Sequence, residues 1–101
     1  MPDITIVYWR DIPAQVIVGS GRRAAKAVLP ERFEQAIDRC AMKIGARDSD
    51  SYLAEWRKVV AGSVEGEAQD VATREANRIN AAYDTSRILA LIANDGWDSP
   101  R

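Results

Sequence analysis

Histidine is absent from this chain of 101 residues, and cysteine occurs once. The first absence removes the commonest general acid or base at neutral pH and the commonest metal ligand. Every Ser-His-Asp or Cys-His arrangement built from this chain alone goes with it. A single cysteine forms no internal disulfide, which points to a reducing compartment. Without histidine it also leaves zinc almost nothing to bind. An excess of charge is missing too. Lys+Arg 14 against Asp+Glu 15 gives a net charge of −1, which argues against a dedicated nucleic-acid binder. The longest apolar runs, such as that from Ile88 to Ala93, are far too short to span a bilayer. MPDITIVYWR carries an early acid and no cationic stretch before an apolar one, so it does not read as a secretory signal. The expectation is a cytoplasmic, non-enzymatic protein with no cofactor, no metal, no membrane partner and no nucleic acid.

What is present is an ordinary folding composition, 47% hydrophobic and 29% charged. The length suits one domain, expected over 1–97 with a frayed tail at 98–101. Ile4 to Arg10 is β-branched and aromatic, and reads as a strand. Asp11 to Ala14 reads as a turn, and Gln15 to Val18 as the second strand of a hairpin. Arg22 to Leu29 reads as one or two helical turns, closed by Pro30. Phe33, Ile37, Cys40, Ala41 and Ile44 recur at helical spacing, so Glu31 to Ile44 is predicted as an amphipathic helix ended by Gly45. Tyr52 to Val60 is read as a strand and Val64-Glu65 as a short return strand. Helices follow over Glu67 to about Tyr83 and Arg87 to Asn94. Asp84, Thr85 or Ser86 caps the last helix, and a Schellman closure brings Trp97 back onto it.

These elements imply an α+β fold. A small antiparallel sheet of three or four strands carries helices packed on one face. "YWR" at 8–10 and "EWR" at 55–57 each precede a glycine and a long helix, which raises a second arrangement, a ββα unit used twice.

Few residues point to chemistry. Gly19-Ser20-Gly21-Arg22-Arg23-Ala24 fits the looser form of the dinucleotide fingerprint. The preceding strand reads as half of a hairpin, Pro30 breaks the following helix, and no acid sits at the end of a next strand. A hairpin-to-helix bend displaying Arg22, Arg23 and Lys26 is the better reading, with Arg10 brought near through the hairpin. Such a patch suits an acidic surface or a phosphate. At least two of the three tryptophans are expected in the core, while Trp9-Arg10 and Trp56-Arg57 also have the composition of interface hot spots. The interaction surface is therefore placed on Trp9, Arg10, Arg22, Arg23, Lys26, Trp56 and Arg57. Cys40 lies on an apolar stripe and reads as a buried thiol. The small-residue stripe Ala68, Ala72, Ala76 reads as internal packing, with a homodimer seam as the alternative.

"YWRDIPAQV" and "LPERFEQAID-CAM", with "YLAEWR" and "ALIANDGW" beyond them, resemble the "virulence factor" domain family of small bacterial proteins. That domain also occurs as a module of larger conserved virulence factor proteins. The resemblance carries no catalytic residues onto this chain. It implies an accessory role beside folate- and cobalamin-dependent methyl transfer, and no histidine is present for the usual cobalamin ligand. The function expected is thus an adaptor for a larger cytoplasmic enzyme, one of methyl transfer as that resemblance implies. The alternative is a phosphate- or folate-type ligand domain using the Gly19–Arg23 junction.

Overall fold

The computed structural model describes residues 3–19, 22, 24–45 and 49–98. Alternating apolar and β-branched residues build β1 (Asp3–Trp9) and β2 (Ile12–Val18), an antiparallel pair joined at Arg10 and Asp11. The turn is therefore shorter than Asp11 to Ala14, and β2 begins at Ile12. Pro13 sits inside β2 because the register slips there, between Val7 and Tyr8 on β1. A bulge is one of the few places where a sheet accepts a residue with no N–H.

Two further strands complete one sheet in the order β3-β2-β1-β4, all neighbours antiparallel. The α+β class and the small antiparallel sheet are as expected. β3 is Ala25–Val28, where a helical turn was predicted. Its alanines favour a helix, but Ala25 and Ala27 pair with Val18 and Val16 and supply the open edge of β2 with a partner. β4 is Trp56–Ser63, shorter at its start than the strand predicted from Tyr52. Tyr52 instead lies in a short helix, α2 (Ser49–Ala54), and Val64-Glu65 is not a strand. The second half thus gives one strand, not two, and is no copy of the first. The resemblance of "YWR" to "EWR" is nonetheless spatial: Trp9 pairs with Trp56 and Tyr8 with Arg57.

The long helices fall where periodicity put them. α1 (Glu31–Ile44) buries Phe33, Ala36, Ile37, Cys40 and Ala41, with Glu31 and Glu34 in its first turn. Gly45, at φ 79°, closes it in the left-handed conformation. α3 (Ala68–Ala82) buries Val71, Ala72, Ala76 and Ile79, and packs across β2 and β3. The alanine stripe is thereby used inside the fold. Ile4, Ile6, Val16 and Val18 point to that side, all buried. α4 (Thr85–Ala93) packs on α1. Asp84 caps it by accepting the Arg87 N–H at 2.8 Å.

The end of α4 is a Schellman closure one residue earlier than predicted. Gly96 N–H donates to Leu91 O and Asp95 N–H to Ile92 O, with Asp95 left-handed at φ 60° and Gly96 also at positive φ, 89°. Gly96 is needed for a second reason. A Cβ there would lie 3.2 Å from Arg10 Cβ and 3.3 Å from Cys40 Sγ.

Trp9 is the largest fully buried side chain. Truncation removes its transfer free energy and leaves a cavity. Trp9→Ala is expected to lower unfolding stability by about 3–5 kcal/mol, read by urea denaturation. A loss below about 1 kcal/mol would show that the hairpin end is not part of the core.

Candidate functional site

The residues singled out above separate into two groups. Arg22 and Lys26 lie beyond and beside the far ends of β1 and β2, both exposed. Arg10 lies at the hairpin end, a seven-residue strand away, or roughly 20 Å at the usual rise per residue. It does not join their patch. Ser20, Gly21 and Arg23 lie outside the described residues. The next strand or α-helix after the junction is β3, so among the described residues no α-helix N-terminus follows Gly19 as a dinucleotide site requires.

Trp9, Arg10, Trp56 and Arg57 do converge. Trp9 belongs to the core, with 0% of its surface exposed. Its indole Nε1–H donates to Tyr52 O at 3.0 Å, and its ring lies 6.0 Å from that of Tyr52. It is an anchor for the fold, not a contact surface. Arg10 adopts a left-handed backbone at φ 55°, uncommon for a bulky side chain. Its N–H donates to Glu55 O at 3.0 Å, Nε to Glu55 Oε2 at 3.1 Å, and Nη1 to Asp95 O at 2.6 Å. Its guanidinium also lies over the Trp97 ring, 4.9 Å from the centroid. Arg10 thus joins the hairpin, the approach to β4 and the turn after α4. The Trp97 ring thus lies under the Arg10 guanidinium.

Arg57 belongs to an open hollow of about 330 Å³ on the α3 side of the sheet. It donates from Nε to Arg10 O at 3.0 Å and from Nη2 to Asp11 Oδ1 at 2.5 Å. The second Asp11 oxygen accepts the Asp98 N–H at 2.7 Å. Arg57 lies over the Tyr8 ring, 5.0 Å from its centroid, and Arg87 over Tyr83 at 3.9 Å. Both phenols line the hollow. Burial holds each above the ordinary tyrosine range, against the pull of nearby Arg57, Arg78 and Arg87 on Tyr8 and of Arg87 on Tyr83. Both therefore present neutral hydroxyls at neutral pH.

The sequence reading missed Tyr83 and Arg87. Their spacing of four gave a signal, but each reads as an ordinary helix-end residue until α4 turns back. It also missed Arg32, which donates from Nη2 to Asn80 O at 2.8 Å and ties α1 to α3. Cys40 is buried as expected, and burial raises its thiol pKa, which suppresses the thiolate. Among the described residues no group of three or more His, Cys, Asp and Glu is placed to hold a metal ion. No helix among them is long and apolar enough to cross a membrane.

Fold and site together define a small α+β domain with an open hollow lined by Tyr8, Tyr83, Arg57, Asp11 and Asp98. Residues 7–92 match the family model described as "Virulence factor", and the chain belongs to that family. Nothing among the curated proteins matches it, and no solved structure does.

A phenol whose pKa is raised by folding binds its proton more tightly in the native state. Stability is then complete below the unfolded tyrosine pKa and falls as pH rises through the folded one. Phenolate absorbance should titrate in the native protein above the unfolded midpoint of roughly 10, with unfolding free energy declining over the same interval. Coincident native and unfolded titrations would contradict the burial of Tyr8 and Tyr83.

Proposed function

We propose that this domain is a non-enzymatic accessory protein that docks on a larger protein through Tyr8, Arg57, Tyr83 and Arg87. The observation that carries this reading is the pair of Arg-on-Tyr stacks around one open hollow. Tyr and Arg are enriched among residues that dominate protein interfaces, because each offers broad apolar area with polar ends. Arg87 also donates from Nη1 to Ala82 O, the last residue of α3, at 3.3 Å, so it fastens the α3–α4 corner as well as covering Tyr83.

In this reading the partner is a cytoplasmic enzyme of folate- or cobalamin-linked methyl transfer, the class that the family resemblance suggests. The alternative of an anion at Gly19–Arg23 is weaker, because the strand after that junction withholds the helix-end donors it would use.

Affinity capture from the chain's native cells, with wild type beside Arg87→Glu, tests the docking reading. Glutamate suits the first turn of a helix but gives up the bond to Ala82 O, so capture is compared at a temperature where circular dichroism shows both proteins folded. One dominant partner is expected with wild type, reduced at least about tenfold by the charge reversal, a loss of about 1.4 kcal/mol. Equal recovery by both proteins, or no partner with either, contradicts the reading.

A further inference from the structure

The opposite face of the sheet carries a second concavity, independent of the docking reading. It is a half-enclosed groove of about 300 Å³ between the sheet, α1 and α2. Val7, Leu29 and Ile37 give it an apolar floor. Tyr52 and Trp56 form one wall, their rings 5.9 Å apart and inclined at 78°. An edge-to-face pair turns two aromatic faces toward one corner, and aromatic faces are the negative part of the ring quadrupole.

The polar contribution has the same sign. Glu34 lines the groove and makes no ion pair or hydrogen bond among the described residues. Asp38 lies one turn further along α1. Both carboxylates act with burial to hold the Tyr52 hydroxyl above its ordinary range, which places their field at the aromatic wall. Among the described residues no lysine or arginine lines the groove. Lys58 lies on the same sheet face, exposed and outside that lining. An anion would meet only like charge here. A neutral apolar ligand would take water from Glu34 and offer nothing in return.

We propose that this groove binds a small aliphatic organic cation, an alkylguanidinium or alkylammonium. The charged end would rest between Glu34 and the Tyr52–Trp56 corner, and the alkyl stem over the apolar floor. The volume favours a free small molecule over a peptide segment, since it is at the lower limit of small-molecule sites, roughly 300–1,000 Å³.

Butylguanidinium and its neutral counterpart butylurea, titrated into the whole labelled chain and followed by amide and indole NMR, test this. Saturable shifts of the Trp56 indole N–H and the Glu34 region are expected with butylguanidinium and not with butylurea. Glu34→Gln, an exposed change that leaves the apolar side of α1 intact, should weaken binding at least about tenfold. Trp56→Leu should weaken it too, while Lys58→Ala should not. Absence of saturable shifts, equal binding of butylurea, or an unaffected Glu34→Gln would overturn the proposal. So would a blocked Arg tripeptide binding tenfold tighter than butylguanidinium, because the occupant would then be a protein side chain.

Discussion

The two-residue turn at Arg10 and Asp11 is the constraint on which the rest of the structure depends. Trp9, immediately before it, is fully buried, so the chain must reverse at once with no slack. Arg10 absorbs the reversal by taking a left-handed backbone, a conformation that costs an L-residue about 1–2 kcal/mol. The cost is offset by what the conformation permits. Arg10 bonds to Glu55 through both backbone and side chain, and reaches the Asp95 carbonyl and the Trp97 ring. Charge-assisted hydrogen bonds at a largely covered site are among the stronger ones available. Asp11 adds its N–H to Gly96 O at 2.8 Å and its two carboxylate oxygens to Arg57 and Asp98.

That joint places both concavities. On one face, Arg57 held by Asp11 lies over Tyr8, and the turn before α4 brings Tyr83 and Arg87 alongside. On the other, the Trp9 indole holds Tyr52 O, and the Tyr52 ring meets Trp56. Strand alternation divides the two sets: Tyr8 and Arg57 share one face, Trp9 and Trp56 the other. The adjacent residues of YWR thus serve different surfaces, with Arg10 at the end of the sheet between them. The two sites also differ in charge: Arg57, Asp11 and Asp98 line the hollow, and Glu34 is the charged residue that lines the groove among the described residues.

The parts of this molecule legible in its sequence are those governed by short-range periodicity. Phe33 to Ile44 and Ala68 to Ile79 announce helices because their apolar residues recur at helical spacing. Tyr52 to Ala54 and Ala25 to Val28 do not, because tertiary partners decide them. Alanine-rich β3 is a strand only because β2 has an open edge, and α2 turns because the chain must bring Tyr52 to Trp9. The YWR and EWR segments were recognisable as related, but their relation is cross-strand pairing and not repetition. That Trp9 is one of the expected core tryptophans needed the structure, since nothing local distinguishes a core tryptophan from an exposed one. Tyr83, Arg87 and Glu34 became candidates only once distant elements closed around them.

The central claim is that the turn after α4 belongs to the cooperative core through Arg10 and Asp11 and does not fray on its own. Native-state amide hydrogen exchange on the wild-type chain tests it most directly. The account predicts that the Arg10, Asp11 and Gly96 amides, bonded to Glu55, Gly96 and Leu91 carbonyls, exchange with the same opening free energy as the Ile6 and Val16 amides of the sheet. Fast exchange at Asp11 and Gly96 while the sheet stays protected would contradict it.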